Sequence, residues 1–272
     1  MTDRTIVIGD LHGMYNEAVL LLQKLQLTPN DWVIWCGDYV DRGPENAKCC
    51  DLVRNREQVQ GKPAGILGNH EDVHVGYRDA ELDGRQLDTS RMPPTHVATR
   101  TQLQPDHYEW FKSLPLYIRI PDHNAVVVHA GVWPGRAIED QRARHLLHIQ
   151  TISPYVFDED RNALVPRTNE KSVWPSKVPD DGQDWRFWTQ FWDGPETVIF
   201  GHSVLTKPLI ADRVIGIDGG AVFGYDLHAY VLPEKKIVSV KALRDYGGGR
   251  RGKDRPDEIQ TFRIHDDVET YS

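Results

Sequence analysis

Five short apolar runs, each followed by a polar residue that can bind a metal, constrain the fold of this chain more than any other feature. The runs are residues 6–8, 32–36, 65–67, 125–128 and 198–200, and the polar residues after them are Asp10, Asp38, Asn69, His129 and His202. Continuous apolar runs of this length are typical of strands buried on both faces. Because ligands of layered α/β folds bind beyond the carboxyl ends of the strands, we expect these five side chains to converge.

Two helices are predicted between the first strands. Residues 15–27 carry apolar side chains at helical spacing, and residues 44–58 begin with a proline, a common first helical residue. Residues 213–217 are predicted as a further strand, and residues 229–232 and 237–240 as an antiparallel hairpin. This succession predicts an α/β fold with an antiparallel end.

A length of 272 residues suits one large domain, which we expect to span residues 1–245. Residues 72–115 and 133–195 are rich in Pro, Asp and Arg, and we expect them to be cap-like insertions over the strand ends. Residues 246–272 are predicted to be a partly flexible tail, although residues 259–264 alternate enough to form an edge strand.

The polar residues lie in five motifs: Gly9-Asp10-Leu11-His12-Gly13, Gly37-Asp38-Tyr39-Val40-Asp41-Arg42-Gly43, Gly68-Asn69-His70-Glu71, His129-Ala130-Gly131 and Gly201-His202. Carboxylate and imidazole groups are the ligands that divalent metals bind. The first motif alone is a weak signal because Asp and His are common in turns. The second would arise by chance in a chain of this length with odds on the order of 10⁻⁵.

All five motifs, in this order, resemble the pattern of the PPP-type calcineurin-like metallophosphoesterases. The resemblance extends from Ile6 to about Ala242. Within that branch, the short spacing between His202 and residues 217–224 is most similar to bacterial members, which include serine/threonine protein phosphatases and diadenosine tetraphosphatases. The resemblance implies a calcineurin-like fold in which two sheets are sandwiched by helices.

The resemblance also implies two divalent metal ions that share one carboxylate. One ion would be held by Asp10, His12 and Asp38, and the other by Asp38, Asn69, His129 and His202. Mn²⁺ is the expected metal, with Fe, Zn, Ni, Co or Mg as alternatives. Two ions roughly 3.5 to 4 Å apart can hold a bridging hydroxide for in-line attack on phosphorus.

Three further residues are implied to take part in catalysis. Arg42 would bind the phosphoryl oxygens, His70 would protonate the leaving oxygen, and Asp41 would hydrogen-bond the far side of His70. Glu71 is expected to support these groups without binding metal. Protein phosphatases use a second phosphate-binding arginine, and several residues remain open for that role: Arg142, Arg144, Arg161, Arg167, Arg186 and, in place of an arginine, Gln150.

The remaining histidines have no partner pattern, and we expect them on the surface or hydrogen-bonded in the core: His74, His96, His107, His123, His145, His148, His228 and His265. The aromatic residues Trp185, Trp188, Phe191 and Trp192 have helical spacing, which predicts a packed helix face rather than a stacking platform for a nucleobase.

The motifs predict a dinuclear metal-dependent phosphoesterase, with a serine/threonine phosphoprotein phosphatase as the main interpretation. The alternative is a bis(5'-nucleosyl)-tetraphosphatase, so the substrate would be a phosphorylated protein or a nucleotide. A catalytically silent binding scaffold is less favoured because the motifs retain every ligand and Arg42. The oligomeric state stays open.

The cellular setting is predicted from what the sequence lacks. Three cysteines, two of them adjacent, do not suit a disulfide framework. The N-terminus has no signal-peptide pattern, and no apolar run approaches the roughly 20 residues of a membrane span. We therefore expect a cytoplasmic protein that does not bind membranes.

A net charge of −8 argues against a nonspecific grip on long nucleic acids. Two bound divalent ions would bring the formal charge to −4 and concentrate the reversal where phosphate must bind. We predict that the metal-free protein binds inorganic phosphate poorly and that Mn²⁺ restores binding. Competition by inorganic phosphate against a substrate analogue, with and without Mn²⁺, measures this, and equal competition in both conditions would contradict it.

Overall fold

The computed structural model describes residues 3–158, 161, 163–205 and 207–247. Its helices are α1 (Tyr15–Leu25), α2 (Asn46–Gln60), α3 (Asn69–Leu82), α4 (Pro94–Arg100), α5 (Pro105–Ser113) and α6 (Ala143–His148). Its strands are β1 (Thr5–Ile8), β2 (Trp32–Trp35), β3 (Tyr117–Ile120), β4 (Ala125–Val128), β5 (Thr151–Ile152), β6 (Tyr155–Asp158), β7 (Ala163–Pro166), β8 (Ser172–Val173), β9 (Arg186–Phe187), β10 (Thr197–Phe200), β11 (Leu209–Ile210), β12 (Val214–Gly216), β13 (Asp226–Leu232) and β14 (Lys236–Lys241).

Two main sheets face each other. The first has the strand order β14-β13-β1-β2, and the second has the order β11-β12-β10-β4-β3. The strands that carry the polar motifs are parallel within each sheet: β1 pairs with β2, and β10 pairs with both β4 and β12. Strands β13 and β14 form the predicted antiparallel hairpin.

The burial of alternate side chains explains why the motif strands read as continuous apolar runs. In β1, Val7 packs into the core between the two sheets, whereas Ile6 and Ile8 pack with α1 and α2 on the outer face. In β4, Val127 points into the same central core, and Val126 and Val128 pack on the opposite side. Both faces of these strands are therefore buried, as predicted, and the predicted α/β architecture is confirmed.

Two local predictions differ from the structure. Residues 65–67 join the first sheet through a single bridge between Trp35 and Gly65 rather than through a full ladder. Residues 185–192 do not form a helix: Arg186–Phe187 is a short strand, and a 3-10 helix covers Trp188–Gln190. Trp188 and Trp192 are nevertheless buried, so the aromatic side chains pack as expected on a different backbone. Packing against the second sheet, and not helical periodicity, sets their spacing.

The two predicted insertions contain different structure. Residues 72–115 contain most of α3 and all of α4 and α5. Trp110 and Phe111 of α5 pack into the core beside the first sheet. Residues 133–195 hold α6, a small sheet of order β8-β5-β9 and the β6-β7 hairpin. The predicted edge strand at 259–264 lies outside the described residues. In the described part of the chain, no helix combines the length and apolar character needed to cross a membrane.

Gly131 explains why the fourth motif requires glycine. Its φ is +154°, and a Cβ built there would lie 2.3 Å from Cε2 of Trp188, which is fully buried. The backbone that follows His129 therefore rests directly on an indole ring. Gly76, by contrast, lies exposed in α3, and a Cβ added there would have no atom within 4 Å.

We predict opposite effects for two Gly→Ala substitutions. Gly131→Ala should lower the free energy of unfolding by about 1–3 kcal/mol through overpacking, and Gly76→Ala should raise it by about 0.5–1 kcal/mol. Denaturant unfolding measures both. Adding Trp188→Phe should recover part of the Gly131→Ala loss in a double-mutant cycle. If the free-energy losses of Gly131→Ala and Trp188→Phe simply add, contact with the indole is not the reason why position 131 requires glycine.

Candidate active site

The carboxyl ends of four parallel strands bring the motif residues together. Strands β1 and β2 end before Asp10 and Asp38, and β4 and β10 end before His129 and His202. A hydrogen bond crosses between the two sheets here, because the backbone N–H of His202 donates to Asp10 Oδ2 at 3.0 Å. Asn69 opens α3 at the same edge. The predicted convergence of the five polar residues is therefore observed.

The carboxylate of Asp38 lies at the centre of the site. Its Oδ1 is 3.4 Å from His129 Nε2 and accepts the backbone N–H of His70 at 3.0 Å. Its Oδ2 is 3.5 Å from His12 Nε2 and 3.8 Å from His70 Nε2. Two clusters of side chains, His12-Asp38-His70 and Asp38-His129-His202, each have His and Asp ligand atoms within 4.8 Å of one another, and they have Asp38 in common.

The hydrogen bonds of the histidines test whether these residues suit a metal. Nδ1 of His129 donates to the Cys36 carbonyl at 2.7 Å, and Nδ1 of His12 donates to the Val40 carbonyl at 2.9 Å. Burial lowers the pKa of both rings, so each Nε2 carries a lone pair. His129 Nε2 faces Asn69 Oδ1 at 2.8 Å, which places two acceptors against each other. A cation between them resolves this conflict, so the residues fit a divalent metal.

His202 supports the same conclusion. Its Nδ1 lies 2.9 Å from Asn69 Oδ1, and its buried Nε2 has no hydrogen-bond partner among the described residues. Burial and the neighbouring His129 lower its pKa well below the usual value, which keeps the ring neutral and able to ligate. A buried imidazole nitrogen without a partner is costly unless something absent from the protein itself binds it.

Buried carboxylates add to the demand for positive charge. Burial, Asp218 and Asp38 raise the pKa of Asp10 well above its usual value, and burial raises the pKa of Asp218 to about 6. Burial also opposes ionisation of Asp38, but the surrounding imidazoles, above all His129, outweigh it and hold its pKa well below the usual range. Asp10 does not lie within the His12-Asp38-His70 cluster, and both of its oxygens accept the His202 N–H.

Asp41 and His70 form the expected pair. Nδ1 of His70 donates to Asp41 Oδ2 at 2.6 Å, which leaves Nε2 directed toward Asp38. Asp41 is fully buried and also accepts hydrogen bonds from His74 Nε2 at 2.9 Å and Thr99 Oγ1 at 2.6 Å. Burial opposes its ionisation, yet the hydrogen bonds from His70 and His74 hold its pKa well below the usual range.

His74 and His96 surround this pair, although neither lies in any of the five motifs. His96 Nε2 lies 3.3 Å from Asp41 Oδ2, and its Nδ1 lies 3.3 Å from the Tyr77 hydroxyl. His74 follows His70 by four residues on α3, so helical geometry puts both on one face. This spacing in the sequence is enough to predict that His74 lies near His70. His96 lies on α4 and reaches Asp41 only through helix packing, which no sequence spacing indicates.

Arg42 lies against the cluster of His12, Asp38 and His70. Its guanidinium contacts His12 Nε2 and lies 5.5 Å from the centre of the Phe223 ring. A protonated imidazole would repel the guanidinium there, so the neutral form of His12 is required. The arginine is thereby held beside the shared carboxylate, in a position to bind oxyanions.

Glu71 holds the backbone around Asp38. Its two oxygens accept four backbone N–H groups, from Asp38 at 2.9 Å, Tyr39 at 2.8 Å, Val40 at 3.2 Å and Gly68 at 3.1 Å. Burial raises its pKa, and these N–H groups oppose that rise. Glu71 therefore fixes the loop that carries Asp38.

Backbone strain is concentrated in the site. His12, Asp38, Asp41, Arg42 and His202 all have φ between 45° and 72°. Such values are unfavourable for residues with a Cβ, and each costs on the order of 1–3 kcal/mol. Three non-glycine residues outside the site share this property among the described residues: Gln26, Asn124 and Lys235. The fold thus holds five motif residues in conformations that local sequence alone would not favour.

The five candidate arginines of the 133–195 insertion are all paired elsewhere. Arg142 and Arg144 approach Glu170 at 3.1 and 3.4 Å. Arg161 pairs with Asp158. Arg167 donates to the Tyr155 carbonyl, and Arg186 pairs with Asp184. Gln150 is buried, and its Oε1 has no partner among the described residues. None of these contacts establishes a second phosphate-binding arginine.

Comparison with known proteins agrees with the fold and the geometry. Residues 3–240 match the family model of the calcineurin-like phosphoesterases, and the chain belongs to that family. It is therefore a phosphoric ester hydrolase by family, and its relatives give a finer comparison.

Relatives named asymmetrical bis(5'-nucleosyl)-tetraphosphatase PrpE match nearly the whole chain. The protein from Bacillus velezensis is 25% identical over 91% of this chain and 96% of its own length. The protein from Geobacillus thermodenitrificans is 29% identical over 86% of this chain and 92% of its own length. A symmetrical bis(5'-nucleosyl)-tetraphosphatase from Shewanella sediminis is 32% identical, over 50% of this chain and 47% of its own length.

Solved structures show the same fold. A crystal structure assigned provisionally as a diadenosine tetraphosphatase superposes with a TM-score of 0.65 at 26% identity, and covers 89% of this chain and 95% of its own. A metallophosphoesterase from Sphaerobacter thermophilus has a TM-score of 0.51 at 17% identity, covering 88% and 87% of the two chains. The second likeness concerns the fold alone.

The four hydrogen bonds of Glu71 predict a sharp effect of Glu71→Gln. An amide offers one acceptor oxygen, and its NH₂ would face backbone donors. We expect a loss of about 1–3 kcal/mol in the free energy of unfolding and a 10–100-fold weaker affinity for Mn²⁺, on the order typical of residues that position ligands. Chemical denaturation and metal titration measure these. Glu109→Gln, on the exposed face of α5, is the matched control. If the two variants have the same stability and the same affinity for Mn²⁺, Glu71 does not fix the loop that carries Asp38.

Proposed function

We propose that this protein is a bis(5'-nucleosyl)-tetraphosphatase that cleaves dinucleoside tetraphosphates asymmetrically with Mn²⁺. One observation carries the proposal: relatives bearing that name match from 86% to 94% of the chain, so the likeness includes both insertions. The symmetrical relative matches half of the chain. The main interpretation from sequence, a serine/threonine phosphoprotein phosphatase, has weaker support, since a protein serine/threonine phosphatase from Saccharomyces cerevisiae is 15% identical and resembles the chain in fold alone.

The donor set supports a pair of divalent ions. We infer that Asp10, His12 and Asp38 would hold one ion and that Asp38, Asn69, His129 and His202 would hold the other. Such ions, when bound, lower the pKa of an attacking water and neutralise the phosphoryl oxygens. Mixed nitrogen and oxygen donors suit Mn²⁺, although they also accept other first-row metals.

The remaining site residues act on the phosphate and on the proton. Arg42 is proposed to bind two phosphoryl oxygens through its planar fork of donors, and its contact with His12 orients it for that purpose. His70, held by Asp41 at 2.6 Å, is proposed to protonate the leaving oxygen from Nε2. The carboxylate of Asp41 fixes the tautomer with the proton on Nδ1 and stabilises the charged ring.

A substrate panel tests the proposed function. With Mn²⁺ present, diadenosine tetraphosphate should be cleaved to AMP and ATP and should have a higher kcat/KM than any phosphoserine or phosphothreonine peptide. Chromatography of the products measures both the rate and the position of cleavage. Release of two ADP would contradict the asymmetrical cut, and preference for phosphopeptides would restore the protein phosphatase interpretation.

The shared carboxylate predicts the effect of Asp38→Asn. An amide keeps the shape but removes the negative charge needed by two cations, so Mn²⁺-dependent turnover should fall by several orders of magnitude. Circular dichroism should show that the protein remains folded. Retained turnover in a folded Asp38→Asn protein would rule out the proposed metal arrangement.

The position of His70 predicts a selective effect of His70→Asn. Binding of Mn²⁺ should be unchanged, and turnover of alkyl phosphates should fall more than turnover of p-nitrophenyl phosphate, because a good leaving group needs less protonation. The loss on alkyl phosphates should be about 10²–10⁴-fold, the usual contribution of general acid catalysis. Equal losses on both substrates would argue against a role for His70 as the acid.

A further inference from the structure

An exposed tryptophan lies beside the proposed active site. Trp174 is 54% exposed, and it is the sole aromatic residue among the large apolar side chains that the described part of the chain leaves exposed. Its ring lies 5.9 Å from the His202 ring, at an interplanar angle of 37°. His129 contacts His202 from a second direction, with the ring centres 5.0 Å apart. The indole therefore lies beside one of the proposed metal ligands, with much of its surface open.

The backbone around Trp174 is fixed on both sides. Ser172, two residues before it, pairs with Ile152 in the small sheet, and its hydroxyl accepts the backbone N–H of Gln150 at 2.9 Å. After it, Pro175 begins a 3-10 turn in which the N–H of Lys177 donates to the Trp174 carbonyl at 2.8 Å. Backbone hydrogen bonds thus hold the chain on both sides of Trp174. Among the described residues, its Nε1 has no hydrogen-bond partner.

The insertion that carries Trp174 also holds His148 and a cluster of arginines. His148 is exposed, and its ring lies 6.4 Å from that of His202 at 85°. Arg144 precedes it by one turn of α6, about 6 Å along the helix. Arg136, Arg142 and Arg144 all pair with Glu170, so three cations surround one anion. These arginines are paired with Glu170, so the observation that points to a nucleotide is the exposed aromatic face of Trp174 beside His202 in the proposed phosphate site.

We propose that Trp174 is a stacking platform for one nucleobase of a dinucleoside polyphosphate bound at the metal site. This inference rests on the proposed function, which it deepens by giving the base of the substrate a binding residue. The flat face of an indole stacks on any base, so the platform would accept different nucleosides. Phosphoserine and phosphothreonine have no planar ring, so the platform favours nucleotides over phosphoproteins.

Equilibrium binding separates the contribution of the base from that of the phosphates. Calorimetric titration of the Mn²⁺-loaded protein with ADP and with pyrophosphate, which has no base, provides the two measurements. Trp174→Ala should raise the Kd for ADP by about tenfold, within the range for one base stacked on an aromatic side chain, and should leave the Kd for pyrophosphate unchanged. Trp174→Phe should retain most of the ADP affinity because it keeps an aromatic face.

Trp185 offers a matched control in the same insertion. Its Nε1 donates to Asp181 Oδ1 at 2.9 Å, and Lys171 lies 5.8 Å from its ring. Trp185→Ala should leave both dissociation constants unchanged. Equal weakening of ADP and pyrophosphate in Trp174→Ala, or no change in ADP binding, would overturn the proposal.

Hydrolysis by the wild-type protein decides the proposed function separately. If diadenosine tetraphosphate is not cleaved while Trp174→Ala still weakens ADP selectively, the substrate assignment fails and the base platform stands. If cleavage occurs but Trp174→Ala binds ADP as the wild type does, the proposed function stands and the platform fails.

Discussion

The structure of the site depends on keeping one carboxylate ionised in the interior. Asp38 is buried, which by itself disfavours its charge, and positive charge nearby, as on a protonated imidazole, is needed to offset that cost. Burial lowers the pKa of His129, His12 and His202, so these rings give up their protons readily. Once the rings are neutral and supply lone pairs, the ionised Asp38 leaves the site short of positive charge. We propose that divalent ions supply that charge and that Arg42 adds to it where phosphate would bind.

Much of the surrounding sequence serves to hold this carboxylate in place. Glu71 uses both oxygens to fix the loop around Asp38, and a Cβ on Gly68 would lie 2.3 Å from the Asp38 nitrogen. Glycine at 68 is therefore required by close approach of two backbones. The left-handed φ values of the motif residues are unfavourable locally, so packing of the two sheets must offset their cost. Conformational strain at the site is compensated by stability elsewhere in the fold.

The sequence predicts those parts of the site that lie at the ends of buried strands, because a strand fixes the direction in which the next residue points. Asp10, Asp38, His129 and His202 are of this kind. His96 and Trp174 could not be predicted, since their positions depend on helix packing and on a small sheet inside an insertion without clear periodicity. The wrong helix at 185–192 has the same origin: aromatic spacing there follows the surface of the second sheet. Local pattern identifies the proposed ligands, and tertiary packing determines what surrounds them.

Asp38 is proposed to be shared between two neighbouring metal ions, and the chemistry of the site follows from that sharing. Electron paramagnetic resonance during titration with Mn²⁺ tests it most directly, because two ions bridged by one carboxylate are magnetically coupled. We expect two Mn²⁺ per chain, with a coupled spectrum appearing as the second equivalent binds, and loss of the coupling in a folded Asp38→Asn protein. A single bound Mn²⁺, or two ions with the spectrum of isolated Mn²⁺, would contradict it.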